Sequence, residues 1–270
     1  MKVSVEILDF IFSLLSHRMT LIACSKDPVL SQIVERHIYC YIHVYFDNLD
    51  RWEFLENDEF GPIRLSNFIS KNPRILHYVR TLRIYVHLDH FCPDLDFMAK
   101  KLNQFAETLL MFPSLECIKL DIPKNRLFIW PDDFRAALED RLKLPTLKEV
   151  HMEGNHDFPC SLINNHTNIE NLLLSGSFQG AIRPLCGSNL PQLKSLTLLS
   201  GNLRYSSLPS VKHHINELQS LTCASSAVSY LPELLGVCSQ TLKKLDIDLL
   251  LSPCKMRVSF IINDYAEAEY

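Results

Sequence analysis

Glycine is scarce in this 270-residue chain, with 7 in all, while 47% of residues are hydrophobic. That composition excludes an intrinsically disordered segment, because enough apolar surface is present to offset the entropy of folding. An excess of positive charge is also missing: the formal net charge is −4 and the pI near 6.3, so the basic footprint of a nucleic-acid binder is absent. No uncharged run approaches the roughly 18 or more apolar residues that a membrane span requires, and neither nucleic acid nor membrane is an expected partner. The apolar start, Met1 to Leu15, is broken by Glu6 and Asp9 and is followed by no small-x-small cleavage site, so it reads as structure rather than as a signal peptide. Cysteine pairs of the Cys-x-x-Cys type are lacking too. The 9 cysteines, an odd number, are scattered singly, which fits reduced thiols packed as small hydrophobes and places the chain in the cytosol or nucleus. The one sequon, Asn165-His166-Thr167, would matter only in a secreted chain.

What the chain does contain is one phrase, leucine-x-x-leucine-x-leucine, read in Leu115-Ile118-Leu120, Leu147-Val150-Met152, Ile169-Leu172-Leu174, Leu193-Leu196-Leu198, Leu218-Leu221-Cys223 and Leu242-Leu245-Ile247. Successive first positions are 32, 22, 24, 25 and 24 residues apart, and the last four steps fall in the leucine-rich-repeat range of roughly 20 to 29 residues. One such strand with its return segment cannot bury its own apolar face, so neighbours must stack into a solenoid. The expected fold is α/β: a leucine-rich-repeat solenoid with parallel strands on its concave face and helices or turns on its convex face. Pro113, Pro145 and Pro191 each stand two residues before a repeat's first leucine or isoleucine-type position, where a missing amide donor costs nothing. The turn asparagine of such repeats appears only as Asn155, with Ser177 and Ser226 as shorter substitutes and Leu250 in the last unit, so the solenoid should be irregular.

Two strands precede the regular repeats. Ile42, Val44 and Phe46 alternate with Tyr41, His43 and Tyr45, and Leu82 and Ile84 sit within Val79 to Val86. Asp47 to Gly61 is charged and reads as a surface loop. Helical spacing of Leu95, Met98, Leu102, Phe105 and Leu109 behind Pro93, and of Phe134, Leu138 and Leu142 behind Pro131, marks two long return helices; Leu231 to Cys238 is a short one.

Alternation sends every second strand residue to the concave face. The candidate target-binding positions there are Lys119, Asp121, Glu149, His151, Glu153, Asn171, Leu173, Thr197, Leu199, Asp246 and Asp248; Thr81, Arg83 and Tyr85 alternate outward on an earlier strand. Carboxylates outnumber Lys119 and Lys244 in the later repeats, which points to a basic segment as ligand. Leu173 and Leu199 are candidates for a small apolar anchor.

At the N-terminus, Val3, Ile7, Leu8, Ile11, Phe12, Leu14 and Leu15 recur at three- and four-residue intervals, describing an amphipathic helix with a wide buried stripe. A second helix is expected over Met19 to Ser25. A third follows Pro28, with Val29, Ile33, Val34, His37 and Ile38 in the same rhythm. Val3-Ser4-Val5-Glu6-Ile7-Leu8-Asp9-Phe10-Ile11-Phe12-Ser13-Leu14-Leu15 resembles the opening of an F-box, and Leu21-Ile22-Ala23-Cys24-Ser25 and Arg36-His37-Ile38-Tyr39 resemble its second and third helices. Asn72-Pro73-Arg74-Ile75 with Tyr78-Val79-Arg80-Thr81-Leu82-Arg83-Ile84 is similar to a segment common in F-box repeat proteins of mushroom-forming fungi. The resemblance implies an F-box-like helical unit over residues 1–40 and the solenoid over 41–270. It further implies a non-catalytic subunit of a cullin-type ubiquitin ligase, with the F-box binding an Skp adaptor and the repeats holding the protein to be ubiquitinated. The implied adaptor positions are Val3, Glu6, Ile7, Leu8, Ile11, Phe12, Leu15 and Leu21. Ser4 stands where the family has proline, and Lys26 to Ser31 where it has an apolar stretch ending in tryptophan. The alternative is therefore a free-standing repeat scaffold whose N-terminal helices serve as a cap.

Phosphate loops, His-Glu-x-x-His and Gly-x-Ser-x-Gly are absent, so the strong enzyme signals are missing, and no cofactor or catalytic residue is expected. His87, Asp89, His90 and Cys92 have no return pair that would complete a metal site. His151 and His156 near Glu153 and Asp157 fit a hydrogen-bonded turn better than acid–base work on a surface that excludes little water. His213-His214 reads as loop. Phe260 to Tyr270 shows no capping repeat.

Overall fold

The structure is a computed structural model describing residues 4–15, 18–46, 59–86, 95–122, 129–154, 168–175, 192–199, 215–224, 231–251 and 254–262. The architecture is α/β with a mostly parallel open sheet, compatible with a solenoid-like arrangement, and every strand pairing described is parallel except the last. Two compact units are present: Met1–Ile118 with Pro131–Leu144, and Lys119–Trp130 with Pro145–Tyr270.

The first unit opens with α1 (Val5–Leu14), α2 (Arg18–Cys24) and α3 (Ser31–Ile38). Ser4 caps α1, its Oγ accepting from the Ile7 amide at 3.4 Å, a role that serine fills well and proline cannot. Between α2 and α3, Asp27 Oδ1 accepts from the Val29 amide at 2.7 Å and holds the turn. The three helices share a small core of Phe12, Leu21, Ile33, Val34 and Ile38, with Leu8, Leu15, Ile22, Leu30 and Tyr39 packed around it. A core of this size needs support, which comes from the rest of the unit. Arg74 pairs with Glu35 of α3 at 2.8 Å, and the Tyr39 and Phe68 rings lie 5.4 Å apart.

Next come β1 (Tyr41–Phe46), β2 (Glu59–Phe60), α4 (Pro62–Lys71), a 3-10 turn at Pro73–His77 and β3 (Thr81–Val86). The expected loop over 47–61 is corrected at its end, because Glu59–Phe60 pairs in parallel with β1; residues 47–58 lie outside the described residues. Alternation in β1 and β3 is strict. Ile42, Val44, Phe46, Leu82 and Ile84 have no exposure at all. The two long return helices form as expected, α5 (Leu95–Leu110) and α6 (Asp132–Leu142). Met98, Leu102, Phe105, Leu109, Phe134, Leu138 and Leu142 are all buried, and Phe105 lies edge-on to Phe46 at 5.4 Å. β4 (Cys117–Asp121) falls at the boundary of the units.

The second unit is a ladder: β5 (Glu149–Glu153), β6 (Asn171–Ser175), β7 (Ser195–Leu198), β8 (Ser220–Ala224) and β9 (Lys244–Leu251), with α7 (Leu231–Cys238) before the last. The registers place Val150, Leu172, Leu196, Leu221 and Leu245 on one rung and Met152, Leu174, Leu198, Cys223 and Ile247 on another. The first position of each repeat, Leu147, Ile169, Leu193, Leu218 and Leu242, is also buried.

Each strand entry uses one hydrogen-bond device. The carbonyl of Lys148 accepts from the amides of Glu170 and Asn171, that of Glu170 from Lys194 and Ser195, that of Lys194 from Gln219 and Ser220, and that of Gln219 from Lys243 and Lys244. The same two-donor corner recurs in the first unit, where Cys40 O accepts from Arg80 and Thr81, and Arg80 O from Glu116 and Cys117. A sharp corner follows β5. Gly154 has φ +116°, and a Cβ built there would meet the Ile122 carbonyl oxygen at 2.1 Å, so only glycine fits. The expected turn residues Asn155, Ser177 and Ser226 lie outside the described residues. The sequence shows no capping repeat at this end; β10 (Cys254–Ile261) runs antiparallel to β9 over its full length, and residues 263–270 lie outside the described residues.

Candidate functional site

Two places carry the expected binding residues. On α1, Ile7, Phe10, Ile11 and Leu14 are 53%, 64%, 44% and 66% exposed. Spaced i, i+3, i+4 and i+7, they form one continuous face. The opposite face, Leu8, Phe12 and Leu15, packs on the helical core, and Asp9 Oδ1 reaches His37 Nε2 of α3 at 2.9 Å. The single wide buried stripe expected of α1 is thus corrected: half of it faces inward and half faces solvent. Of the adaptor positions, Glu6, Ile7 and Ile11 are exposed and Leu8 and Leu15 half-buried. Phe12 and Leu21, each 5% exposed, are core residues that no partner can reach. Val3 lies outside the described residues. Phe10 and Leu14 belong to the exposed face and were not among the expected adaptor positions.

In the second unit, Asp121, Glu153, Asn171, Leu173, Thr197 and Leu199 are half-buried at outward positions, as are Lys119, Glu149 and His151. Leu173 stands opposite Thr197 in the register, so Leu199 is one rung further along, not directly beside it. Part of the predicted acidic excess is closed from within. Glu149 accepts from His151 Nε2 at 2.6 Å and lies 3.7 Å from Lys119 Nζ. Asp246, expected at the surface, is 2% exposed and pairs with Lys244 Nζ at 3.0 Å and Arg257 at 3.4 Å. Asp248 pairs with the same Arg257 at 3.2 Å. Burial pushes the Asp246 carboxyl up, but hydrogen bonds from Ser259 and Lys244 and the charges of Lys244 and Arg257 outweigh it and hold the group below its ordinary range. Glu149, Asp246 and Asp248 are therefore answered by internal partners, with Arg257 and Ser259 supplied by β10.

Along the strand-entry rim, Glu170 bridges Lys148 at 2.9 Å and Lys194 at 2.8 Å. Those two hydrogen bonds hold its carboxyl below the usual value.

The first unit presents a cluster that the alternation of β1 had already turned outward without marking it as a site. Tyr41 and His43 rings lie 4.5 Å apart, Tyr45 stacks on Tyr85 at 4.5 Å with 9° between planes, and His43 lies 5.7 Å from Tyr85. The Arg83 guanidinium sits 4.4 Å from the Tyr85 centroid. All five side chains are half-buried.

Among the described residues no group of three or more histidine, cysteine, aspartate or glutamate side chains could hold a metal ion; His87, Asp89, His90 and Cys92 lie outside them, as do His156, Asp157, His213 and His214. No described helix is long and apolar enough to cross a membrane. Cys223 is fully buried, and burial first, then the neighbouring Cys238 thiol, pushes it up to about 12, the behaviour of an inert packing thiol. No family model matches the sequence, and no curated protein matches it.

Proposed function

We propose that the chain is a non-catalytic substrate-recognition subunit of a cullin-type ubiquitin ligase, in which residues 1–40 dock an Skp adaptor and a leucine-rich-repeat solenoid over 41–270 holds the target. The observation that carries this reading is the exposed face of α1. A soluble helix that leaves Ile7, Phe10, Ile11 and Leu14 in water while its other face is already packed offers the i, i+3, i+4, i+7 anchor pattern of a helix laid against a partner. Transfer then follows from effective concentration, not from chemistry on this chain.

Co-purification with an Skp adaptor tests it. The paired change Ile7→Asp and Leu14→Asp strikes the exposed face without entering the core, and should abolish adaptor capture while leaving the helical signal intact. Phe12→Asp is unsuitable, because Phe12 is core and its loss would unfold the unit. Equal capture by wild type and the double variant would refute the α1 contact.

A second reading is a free-standing repeat scaffold whose helices only cap the first repeat. The Glu35–Arg74 pair and the Tyr39–Phe68 contact favour it, since they fasten the helices to α4 and to the 3-10 turn after it. Under this reading no adaptor is captured, and removing 1–40 lowers solubility without changing target binding.

A further inference from the structure

We propose that the free edge of β10 pairs antiparallel with the same edge of a second copy of this chain, giving a two-fold dimer whose β10 strands cross at Val258. The interface lies in the second unit and is separate from the α1 face assigned to the adaptor.

β10 is an end strand of the sheet, with β9 on one side and no strand among the described residues on the other. The 2.8 Å bond from the Ile262 amide to the Lys243 carbonyl fixes which of its backbone groups are used. In an antiparallel pair, bonded and non-bonded residues alternate. Val258, Phe260 and Ile262 therefore turn their N–H and C=O toward β9, while Lys255, Arg257, Ser259 and Ile261 turn theirs to the open side. Such a row is a template for another strand. The outer strand of the first unit, β2, is cut to two residues, Glu59–Phe60, the short edge that discourages pairing. β10 has eight residues and no proline, and it leaves Phe260, Ile261 and Ile262 49%, 77% and 40% exposed. A cation on an edge strand guards it against partners, but Arg257 is answered by Asp246 and Asp248 of β9.

The register selects a second copy as the occupant, because two-fold pairing needs an edge that complements itself. Centred on Val258, it sets Arg257 opposite Ser259 and Lys255 opposite Ile261 in both halves. No cationic residue then stands opposite another, and all four outward residues are paired: four pairs with two bonds each, about eight hydrogen bonds. Centring on Arg257 would place that residue opposite itself, and centring on Ser259 would carry Lys255 past the end of the strand. On the other face of the sheet the rung Leu221, Leu245 and Phe260, which ends in an exposed ring in the single chain, continues into the second copy, and Val258 meets Val258.

Light scattering on the full chain at micromolar concentration should give about twice the 31.2 kDa of one chain, falling toward one on dilution, as expected of an interface of modest area. Ile261→Pro removes an outward amide without taking a bond from β9 and should raise the dissociation constant about tenfold or more. Ile261→Lys, which sets lysine opposite Lys255, should also weaken the dimer, whereas Ile261→Glu at the same position should keep it. Val258→Cys tests the register: the two substituted positions form a non-hydrogen-bonded pair with Cα atoms about 4.5 Å apart, within disulfide reach, so mild oxidation should link the two peptides that carry position 258, as read by mass spectrometry. Circular dichroism on each variant separates lost pairing from lost folding. A monomer at every concentration, a dimer unchanged by folded Ile261→Lys and Ile261→Pro, or species that keep growing with concentration would overturn the proposal. So would a chain that dimerises only after residues 263–270 are removed, which would make that segment the occupant of the edge. Ile7→Asp with Leu14→Asp should leave the dimer intact. A monomer that captures the adaptor sinks only this inference, and a dimer that ignores the adaptor sinks only the ligase reading.

Discussion

The strand ladder of the second unit and helix α1 of the first are both rich in leucine, isoleucine and phenylalanine, yet they use them in opposite ways. In the ladder, apolar side chains at alternate positions are buried almost to the last atom: Val150, Met152 and Leu221 have no exposure. In α1 one side chain, Phe12, is buried, and five large apolar ones, Val5, Ile7, Phe10, Ile11 and Leu14, face water. A parallel ladder has no freedom here, because slipping by one residue would expose every rung at once. A helix apolar on two faces has a choice, and only the neighbour it packs on decides which face is inside. The ladder's sequence is thus spent on stability, while α1 leaves an apolar face in water, the face that the proposed adaptor contact would cover.

The sharpest way to break this contrast is at the corner after β5. With φ +116° and the Ile122 carbonyl oxygen 2.1 Å from where a Cβ would stand, Gly154→Val requires backbone movement in two segments. The expected loss is about 4 kcal/mol or more, read as a lower denaturation midpoint in urea. A midpoint within error of wild type would mean that the corner yields easily. Next in size is the ladder itself. Leu221→Ala should cost about 3 kcal/mol through lost burial and a residual cavity, whereas Ile7→Ala and Leu14→Ala in α1 should each change stability by about 0.5 kcal/mol or less. Comparable losses from both sets would erase the distinction between packed and reserved apolar surface.

The same contrast explains what could be read without coordinates. The repeats were legible because two constraints coincide, a spacing near 24 residues and a period of two within each strand, and both survive without knowledge of any neighbour. Hence Leu147, Val150 and Met152, and their counterparts through Leu242 and Leu245, fall where alternation places them. On α1 helical periodicity counted Ile7, Leu8, Ile11 and Phe12 as one stripe, although Leu8 and Phe12 point to the core and Ile7 and Ile11 away from it. Helix α4 went unread even though Pro62 at its first turn and Leu65 and Ile69 one turn apart were adequate signals. The antiparallel return of β10 has no local signature. Neither does the role of Arg257, since its partners Asp246 and Asp248 meet it only through cross-strand pairing. Outward positions could be enumerated from sequence, but not which charges were already answered.

Arg257 offers the third prediction. Arg257→Gln leaves the buried Asp246 with Lys244 and Ser259 and releases Asp248, and should cost about 1 to 3 kcal/mol at neutral pH. The sign with pH follows from the depressed Asp246 carboxyl. A group ionised more readily when folded contributes stability above its unfolded value and loses it as pH falls through the folded one. The gap between wild type and Arg257→Gln should therefore narrow as the medium is acidified below the ordinary aspartate range. A gap that stays constant down to strong acid would show that Arg257 stabilises β10 by packing its stem and not by its charge.

The smallest effect belongs to the strand-entry rim. Glu170 bridges Lys148 and Lys194 across three successive repeats, and the three side chains are 30%, 49% and 52% exposed. Solvent screening keeps such pairs weak, so Glu170→Gln should cost about 0.5 to 1 kcal/mol at low salt, including the repulsion it leaves between the two lysines. Because the hydrogen bonds from Lys148 and Lys194 lower the Glu170 carboxyl, this contribution is also present at neutral pH and disappears on acidification. It differs from the Asp246 cluster in one measurable respect, its response to salt. Raising ionic strength shortens the Debye length to about 3 Å at 1 M and should bring Glu170→Gln to within error of wild type, while the Arg257→Gln deficit, which involves a buried carboxylate, should persist. A Glu170→Gln deficit equally resistant to salt would mean that the rim is part of the packed ladder, and that the boundary between fixed and adaptable surface lies further out than the exposures indicate.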